Sequence, residues 1–212
     1  MSMILKRIVV GALSTNCYLF GSSETRETVI IDPGGNSDQI INFASELELN
    51  PIAVLLTHGH FDHTLKVNKI LSHFRVPLMY NEKEYTSRTF TQKKADKWIN
   101  ESDSLFLGEI SLNVLETPGH SPGSLCFYSS DVKEYQGKNI DGVLFSGDLI
   151  FRRSIGRSDF QGGNQILLFS SIREKIMHNP SITDNFLIFP GHMGPTSVGE
   201  ERKLNMFRQY FI

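Results

Sequence analysis

Cysteine is scarce in this 212-residue sequence: there are two, Cys17 and Cys126. Both sit in apolar, strand-like stretches, so the fold is not expected to rest on a disulfide framework. Buried, reduced thiols in a cytoplasmic protein fit better. Charge of one sign is missing as well. Lys and Arg number 21 against 23 Asp and Glu, a net of −2, with no long run of either sign. A nucleic-acid binder working by electrostatics needs a basic face, so no nucleic-acid partner is expected. No apolar run approaches the roughly 20 residues that span a bilayer, so no membrane partner is expected either. The opening "MSMILKRIVVGALSTNCYLFG" loosely resembles a secretory signal, but Ser14, Thr15 and Asn16 break its apolar run and it reads better as two strands. Linkers and low-complexity tracts are absent too, which suits one domain over residues 1–212.

What is present alternates strands with helices. Strands are expected near 3–10, 16–21, 27–32, 52–57 and 77–80, with helices near 37–48 and 64–74. The polar stretch 81–99 reads as a surface excursion, helical with a break near Thr89–Thr91. Further strands fall near 110–117, 123–129, 142–146 and 186–190, with a long hairpin loop over 131–141. Helices close the pattern at 164–178 and about 198–210. Apolar Ile166, Phe169, Ile172 and Ile176 recur at helical spacing in the first of these. Helices flanking strands in both halves favour two sheets with helices outside, or one mixed sheet.

The chemistry concentrates after the apolar "PIAVLL", in "THGHFDHT" (57–64). In an extended segment, residues i and i+2 point to the same side, so His58 and His60 can share one cation. Asp62 and His63, where the chain turns into a helix, could face a second. Two tetrahedral metals need about four donors each, more than this loop supplies. Two Pro-Gly-His stretches, "ETPGHSPGS" (116–124) and "IFPGHMGPT" (188–196), each place a histidine past a strand end, and "FSGDLIF" (145–151) does the same with an aspartate. His120 could complete the first site, His192 the second, and Asp148 could bridge both. Nitrogen and oxygen donors without thiolate suit zinc, and also iron or manganese. His73 and His178 stand alone and read as structural or solvated. Asp32, in "IIDPGG" (30–35), is either a turn aspartate or a partner that orients a ligand histidine.

These stretches together resemble the metallo-β-lactamase superfamily in order and spacing, over nearly the whole chain. The resemblance implies an α/β fold, an αββα sandwich of two mixed sheets flanked by helices. It also implies two divalent metal ions, with His58, His60 and His120 on one, Asp62, His63 and His192 on the other, and Asp148 between them. Within the superfamily, "GDLIFRRSIGRSDFQGGN" (147–164) is most similar to glyoxalase II-like hydrolases, which cleave the thioester S-D-lactoylglutathione. The implied partner is a small-molecule thioester, attacked by a metal-bridging hydroxide that Asp62 also helps to orient. Arg157 is a candidate to grip a substrate carboxylate; alternatively Arg157 and Asp159 pair to brace the loop. About 20 residues follow His192, too few for the C-terminal helical region with which full-length glyoxalase II enzymes hold glutathione. Arg202, Lys203 and Arg208 there read as a solvated face. The runner-up is an iron persulfide dioxygenase of the same fold, using His58, His120 and Asp148. A hydrolase of another small ester or lactone, an RNA-processing nuclease, a β-lactamase and a metal-binding module without turnover are weaker alternatives.

Overall fold

A computed structural model describes residues 3–212. The first half builds strands β1 (Met3–Val10), β2 (Thr15–Ser22), β3 (Glu27–Ile31), β4 (Asn50–Leu55), β5 (Leu78–Tyr80) and β6 (Lys97–Trp98). They form one mixed sheet in that order. β1, β2 and β3 meander antiparallel, and β3 to β6 run parallel. Parallel neighbours need crossovers, here helix α1 (Ser37–Glu46) and the pair α2 (Phe61–Thr64) and α3 (Val67–Phe74). Helix α4 (Glu82–Thr86) follows β5. The second half supplies β7 (Ser104–Leu107), β8 (Ile110–Glu116) and β9 (Leu125–Ser129), then a two-stranded ribbon, β10 (Glu134–Tyr135) with β11 (Lys138–Asn139). β12 (Gly142–Gly147) leads to a second small ribbon, β13 (Ile150–Phe151) with β14 (Ser154–Ile155), then helix α5 (Gln165–Ser171). β15 (Phe186–Pro190), β16 (Thr196–Ser197) and α6 (Val198–Leu204) complete it. The second sheet has the order β16-β15-β12-β9-β8-β7.

Side-chain alternation along the central strands explains the layers. In β2, Tyr18 and Phe20 face the core between the sheets, while Cys17 and Leu19 face α1 and α3. β9 and β12 repeat this: Phe127 and Phe145 point inward, Cys126 and Leu144 point to α5 and α6. Successive residues on a strand alternate between faces, so a strand buried on both faces carries a central apolar run. Edge-on aromatic contacts join the inner faces, Tyr18 to Phe145 at 5.2 Å and Phe20 to Phe145 at 4.9 Å between ring centres. The result is the expected αββα sandwich. Both cysteines are buried and form no disulfide. Among the described residues no helix is long and apolar enough to cross a membrane.

Four local expectations change. The helix expected over 64–74 starts later, as α3 at Val67, with the one-turn α2 (Phe61–Thr64) ahead of it and Lys66 (φ −109°, ψ 8°) between them. The one expected over 164–178 is α5 running into a π-helical turn, Ile172–Met177. The last helix stops at Leu204 because Asn205 adopts an extended conformation and turns its amide onto the carbonyl of Ser154 at 2.9 Å. A 3-10 turn (Arg208–Tyr210) then brings Phe211 into the outer core. The excursion 81–99 is helical only over α4, and its end joins the first sheet as β6. α4 starts at an Asn81 cap and ends where Arg88 enters the left-handed region at φ 64°.

Candidate metal centre

All seven candidate ligands meet at one edge of the sandwich. β4 delivers His58 and His60, and the first turn of α2 carries Asp62 and His63. The loop after β8 brings His120, the end of β12 brings Asp148, and the end of β15 brings His192. Their donor atoms form three overlapping triplets: His58–His60–His120, His58–His63–Asp148 and Asp62–His63–His192. In the first, His120 Nε2 lies 2.9 Å from His60 Nδ1 and 3.2 Å from His58 Nε2. In the third, Asp62 Oδ2 lies 3.5 Å from His63 Nε2 and 3.3 Å from His192 Nε2. Asp148 reaches both groups. Its Oδ2 is 3.5 Å from His120 Nε2 and 3.5 Å from His192 Nε2, and its Oδ1 is 3.4 Å from His63 Nε2. His73 and His178 are exposed and outside this cluster.

The far nitrogens of four rings settle their tautomers. His63 Nδ1 contacts the carboxylate of Asp32 at 2.9 Å, an oxygen that can only accept. Thr57 Oγ1 donates to the same Asp32 oxygen at 2.6 Å, so it accepts from His58 Nδ1 at 3.0 Å. His120 Nδ1 donates to the Arg157 carbonyl at 2.6 Å, and His192 Nδ1 to that of Leu13 at 3.2 Å. Each ring thus keeps an Nε2 lone pair for the cluster when neutral, the outer-partner arrangement that orients metal-binding histidines. Asp32, buried at 2% exposure, holds two of them.

The donor set fits a pair of cations. His63 Nε2 and Asp148 Oδ1 are buried and lack any hydrogen-bond partner among the described residues, and buried polar atoms are normally satisfied. A cation between the triplets would satisfy both. Charge points the same way. Burial, then neighbouring histidines, lowers His58 well below the usual value and His60 to about 4; burial also lowers His120. These rings are neutral donors at pH 7. For His63, burial is outweighed by Asp148 and Asp32, which raise it well above the usual value. For His192, burial is outweighed by hydrogen bonds to Asp148 and Asp62, which raise it to about 9. Asp62 falls to about 2 against the pull of burial, through His192, His63 and Thr15, and Asp148 falls well below the usual range through His63 and His192. The carboxylate side of the centre therefore calls for positive charge, which protons supply when metal is absent.

A prediction follows from the sign. At pH 7, below both raised values, His63 and His192 carry protons that a metal must displace. Metal uptake should release up to two protons, and affinity should climb as pH rises toward 9. Calorimetry in buffers of different ionisation enthalpy reads this directly; a binding heat independent of buffer would refute it.

Two features escape sequence reasoning. Glu84, on α4 and 0% exposed, accepts from Gly59 N at 2.6 Å, Gly123 N at 2.6 Å and Ser121 Oγ at 2.7 Å. It clamps the His58–His60 loop to the His120 loop. Burial raises its carboxyl above the usual value, and those three donors pull it back. Gly59 and Gly123 are the hints in the sequence: a Cβ on Gly59 would lie 2.7 Å from Phe90 Cβ and 2.8 Å from Glu84 Oε2, and one on Gly123 2.9 Å from Glu84 N. Asn16 does the same for the His192 loop, donating from Nδ2 to the carbonyls of Pro190 and Met193 at 2.8 and 2.9 Å. In that loop Gly191 is obligatory, since a Cβ would collide with Asp148 Oδ1.

The centre opens into a cavity of about 770 Å³, within the range of small-molecule sites, whose wall includes Leu13, Phe61, Arg88, Phe151, Arg157 and Phe160. Arg157 donates two parallel hydrogen bonds to Asp159, at 2.9 and 2.8 Å, and its guanidinium lies 4.3 Å from the ring centre of Phe160.

Comparison with known proteins gives the family. Residues 10–192 match the family described as the metallo-beta-lactamase superfamily. Hydroxyacylglutathione hydrolase GloC of Haemophilus influenzae is 34% identical, covering 97% of this chain and 98% of that protein. Among solved structures, the BLEG-1 B3 metallo-beta-lactamase superposes with a TM-score of 0.82 at 34% identity, covering 97% of this chain and 99% of that one. ETHE1 from Myxococcus xanthus superposes with a TM-score of 0.80 at 27% identity, covering 99% and 88%.

Proposed function

The chain belongs to the metallo-beta-lactamase superfamily, and from that premise we propose that it is a metal-dependent hydrolase of a small acyl-thioester, S-D-lactoylglutathione or a relative of it. The observation that carries this reading is the doubled donor set. Asp62, His63 and His192 stand beside His58, His60 and His120, Asp148 reaches both groups, and two buried donor atoms are left for cations to satisfy. Two zinc ions suit these ligands best, with iron or manganese as alternatives. Such a pair, when bound, supplies Lewis acidity toward a carbonyl and brings the pKa of a water near 7.

The chain's own residues do the rest. Asp32 and Thr57 keep His58 and His63 in the tautomer that presents Nε2. Thr15 donates to Asp62 Oδ2 at 2.8 Å, which fixes the carboxylate placed to orient the attacking water. Leu13, Phe61, Phe151 and Phe160 give the thioester an apolar wall and exclude bulk solvent. In the reaction a C–O bond forms from water and the C–S bond breaks. Its electron pair leaves on sulfur, and the products are a carboxylic acid and a thiol. A thiol with a pKa near 8.5 leaves readily as thiolate, so no dedicated acid is required. The near-full-length similarity to a protein named as a hydroxyacylglutathione hydrolase supports the choice of thioester.

A second reading, an iron persulfide dioxygenase using His58, His120 and Asp148, draws on the similarity to ETHE1. It gives Asp62 and His192 no task. Metal analysis with a thioester assay separates the two: about two metal ions per chain and thiol release from S-D-lactoylglutathione are expected. One iron per chain with oxygen uptake on glutathione persulfide, and no thiol release from the thioester, would overturn the proposal. Nitrocefin in the same panel tests for β-lactam hydrolysis.

A further inference from the structure

The arm after β5 is more than a surface excursion. Its helix α4 buries Glu84 against the loops that carry His58, His60 and His120, and Phe90 N donates to the Glu84 carbonyl at 2.9 Å to close the arm on itself. Residues 87–89 between those two anchors are therefore held in a fixed place relative to the metal centre. All three line its cavity.

We propose that Arg88 binds a carboxylate of the substrate and so selects among substrates by charge; that the substrate is a thioester rests on the function proposed above, and the carboxylate contact does not. Three observations carry it. First, Arg88 sits at φ 64° just past the end of α4, a place where glycine is usual. Ser87 Oγ and Thr89 Oγ1 bond to each other across it at 2.9 Å. Arg75 makes the same turn at the end of α3; at Arg88 the turn fixes where the side chain leaves the cavity wall. Second, Arg88 is exposed, and among the described residues no acidic side chain pairs with its guanidinium. Arg157, the other arginine of the cavity, already spends its fork on Asp159 and its face on Phe160. A substrate carboxylate would have to displace Asp159 to reach it. Third, the acids of the same wall, Asp62 and Asp148, are engaged with imidazoles. That leaves Arg88 as the fixed charge still open to a ligand, and a guanidinium binds a carboxylate through two parallel hydrogen bonds. Phe61, 63% exposed, and Phe160 offer apolar surface to the body of such a ligand.

The test uses the metal-loaded protein and two uncleavable thioethers, S-hexylglutathione and its dimethyl ester, with affinities measured by calorimetry. The wild type should bind the free acid at least about 3-fold more tightly than the ester, within the range that an ion pair on an exposed side chain supplies. Arg88→Gly should remove that preference without lowering the melting temperature, because glycine accepts the left-handed backbone. Arg88→Lys should restore part of it. Equal affinities in the wild type, no binding of either compound, or an undiminished preference in Arg88→Gly would each overturn the assignment; the last would mean that the metals take the carboxylate. Failure of thioester hydrolysis is read separately, in the thiol-release assay, and leaves the binding difference standing.

Discussion

His58→Ala should strip metal and activity together. His58 Nε2 belongs to two of the three donor triplets, more than His60, His120 or His192 can claim. Its ring lies 4.7 Å from that of His60, 4.7 Å from that of His120 and 4.1 Å from that of His63, measured between centres. Losing an outer partner of a metal ligand costs roughly 10–100-fold in affinity or activity. Losing a ligand itself should exceed that, so thiol release should drop more than about 100-fold, with metal content well below that of the wild type. The fold should survive. Burial keeps His58 uncharged in the folded protein, so its removal breaks no ion pair. The metal-free variant should therefore melt close to the metal-free wild type, while the rise in melting temperature that ligand binding gives should largely vanish. Full metal content with full activity in the variant would refute the arrangement.

Much of this centre was open to sequence reading because its signals are local. "THGHFDHT" places four donors in six positions, and an extended segment followed by a helical turn divides them between two sides. A one-turn helix begins at Phe61, ahead of the helix expected from 64, and takes Asp62 and His63 off the line that His58 and His60 share. The strands were legible for a similar reason: β2, β9 and β12 are buried on both faces, so their central residues form apolar runs. β7 was not, because "SLFL" keeps Phe106 exposed at the sheet edge and is only four residues long. The arm from 81 onward is illegible for a deeper reason. Its composition is that of a solvated surface, and nothing near Glu84 in sequence marks it as buried. Its partners are backbone groups 25 and 39 positions away, and a backbone N–H has no sequence signature. Asp32 lay between two readings for the same reason, until the fold placed Thr57 and His63 against it.

Glu84→Gln tests that hidden clamp, and the exchange is far from neutral even though size and shape are kept. Both carboxylate oxygens are acceptors: Oε2 for Gly59 N, Oε1 for Gly123 N and Ser121 Oγ. A glutamine must put its amide NH2 at one of these places, facing a backbone N–H that cannot turn away. With the amide nitrogen at the Oε1 place, the Ser121 hydroxyl can rotate, since Ser124 Oγ is 2.7 Å away, but Gly123 N–H stays unsatisfied. With it at the Oε2 place, Gly59 N–H is orphaned between the two candidate ligands His58 and His60. Either way one buried donor goes unpaired, at about 1–3 kcal/mol, and the remaining bonds lose their charge assistance. The expected loss is ~2–4 kcal/mol, and at roughly 2–4 °C per kcal/mol for a chain of this size the melting temperature should fall by about 4–16 °C. Removing a buried charge can be stabilising where apolar packing replaces it; here three donors remain, so the sign is destabilising. Metal affinity should weaken as well, because the loop bearing His58 and His60 is no longer tied to the loop bearing His120. A melting temperature equal to the wild type's, with metal affinity unchanged, would show that the clamp is dispensable and that the two loops hold their geometry without it.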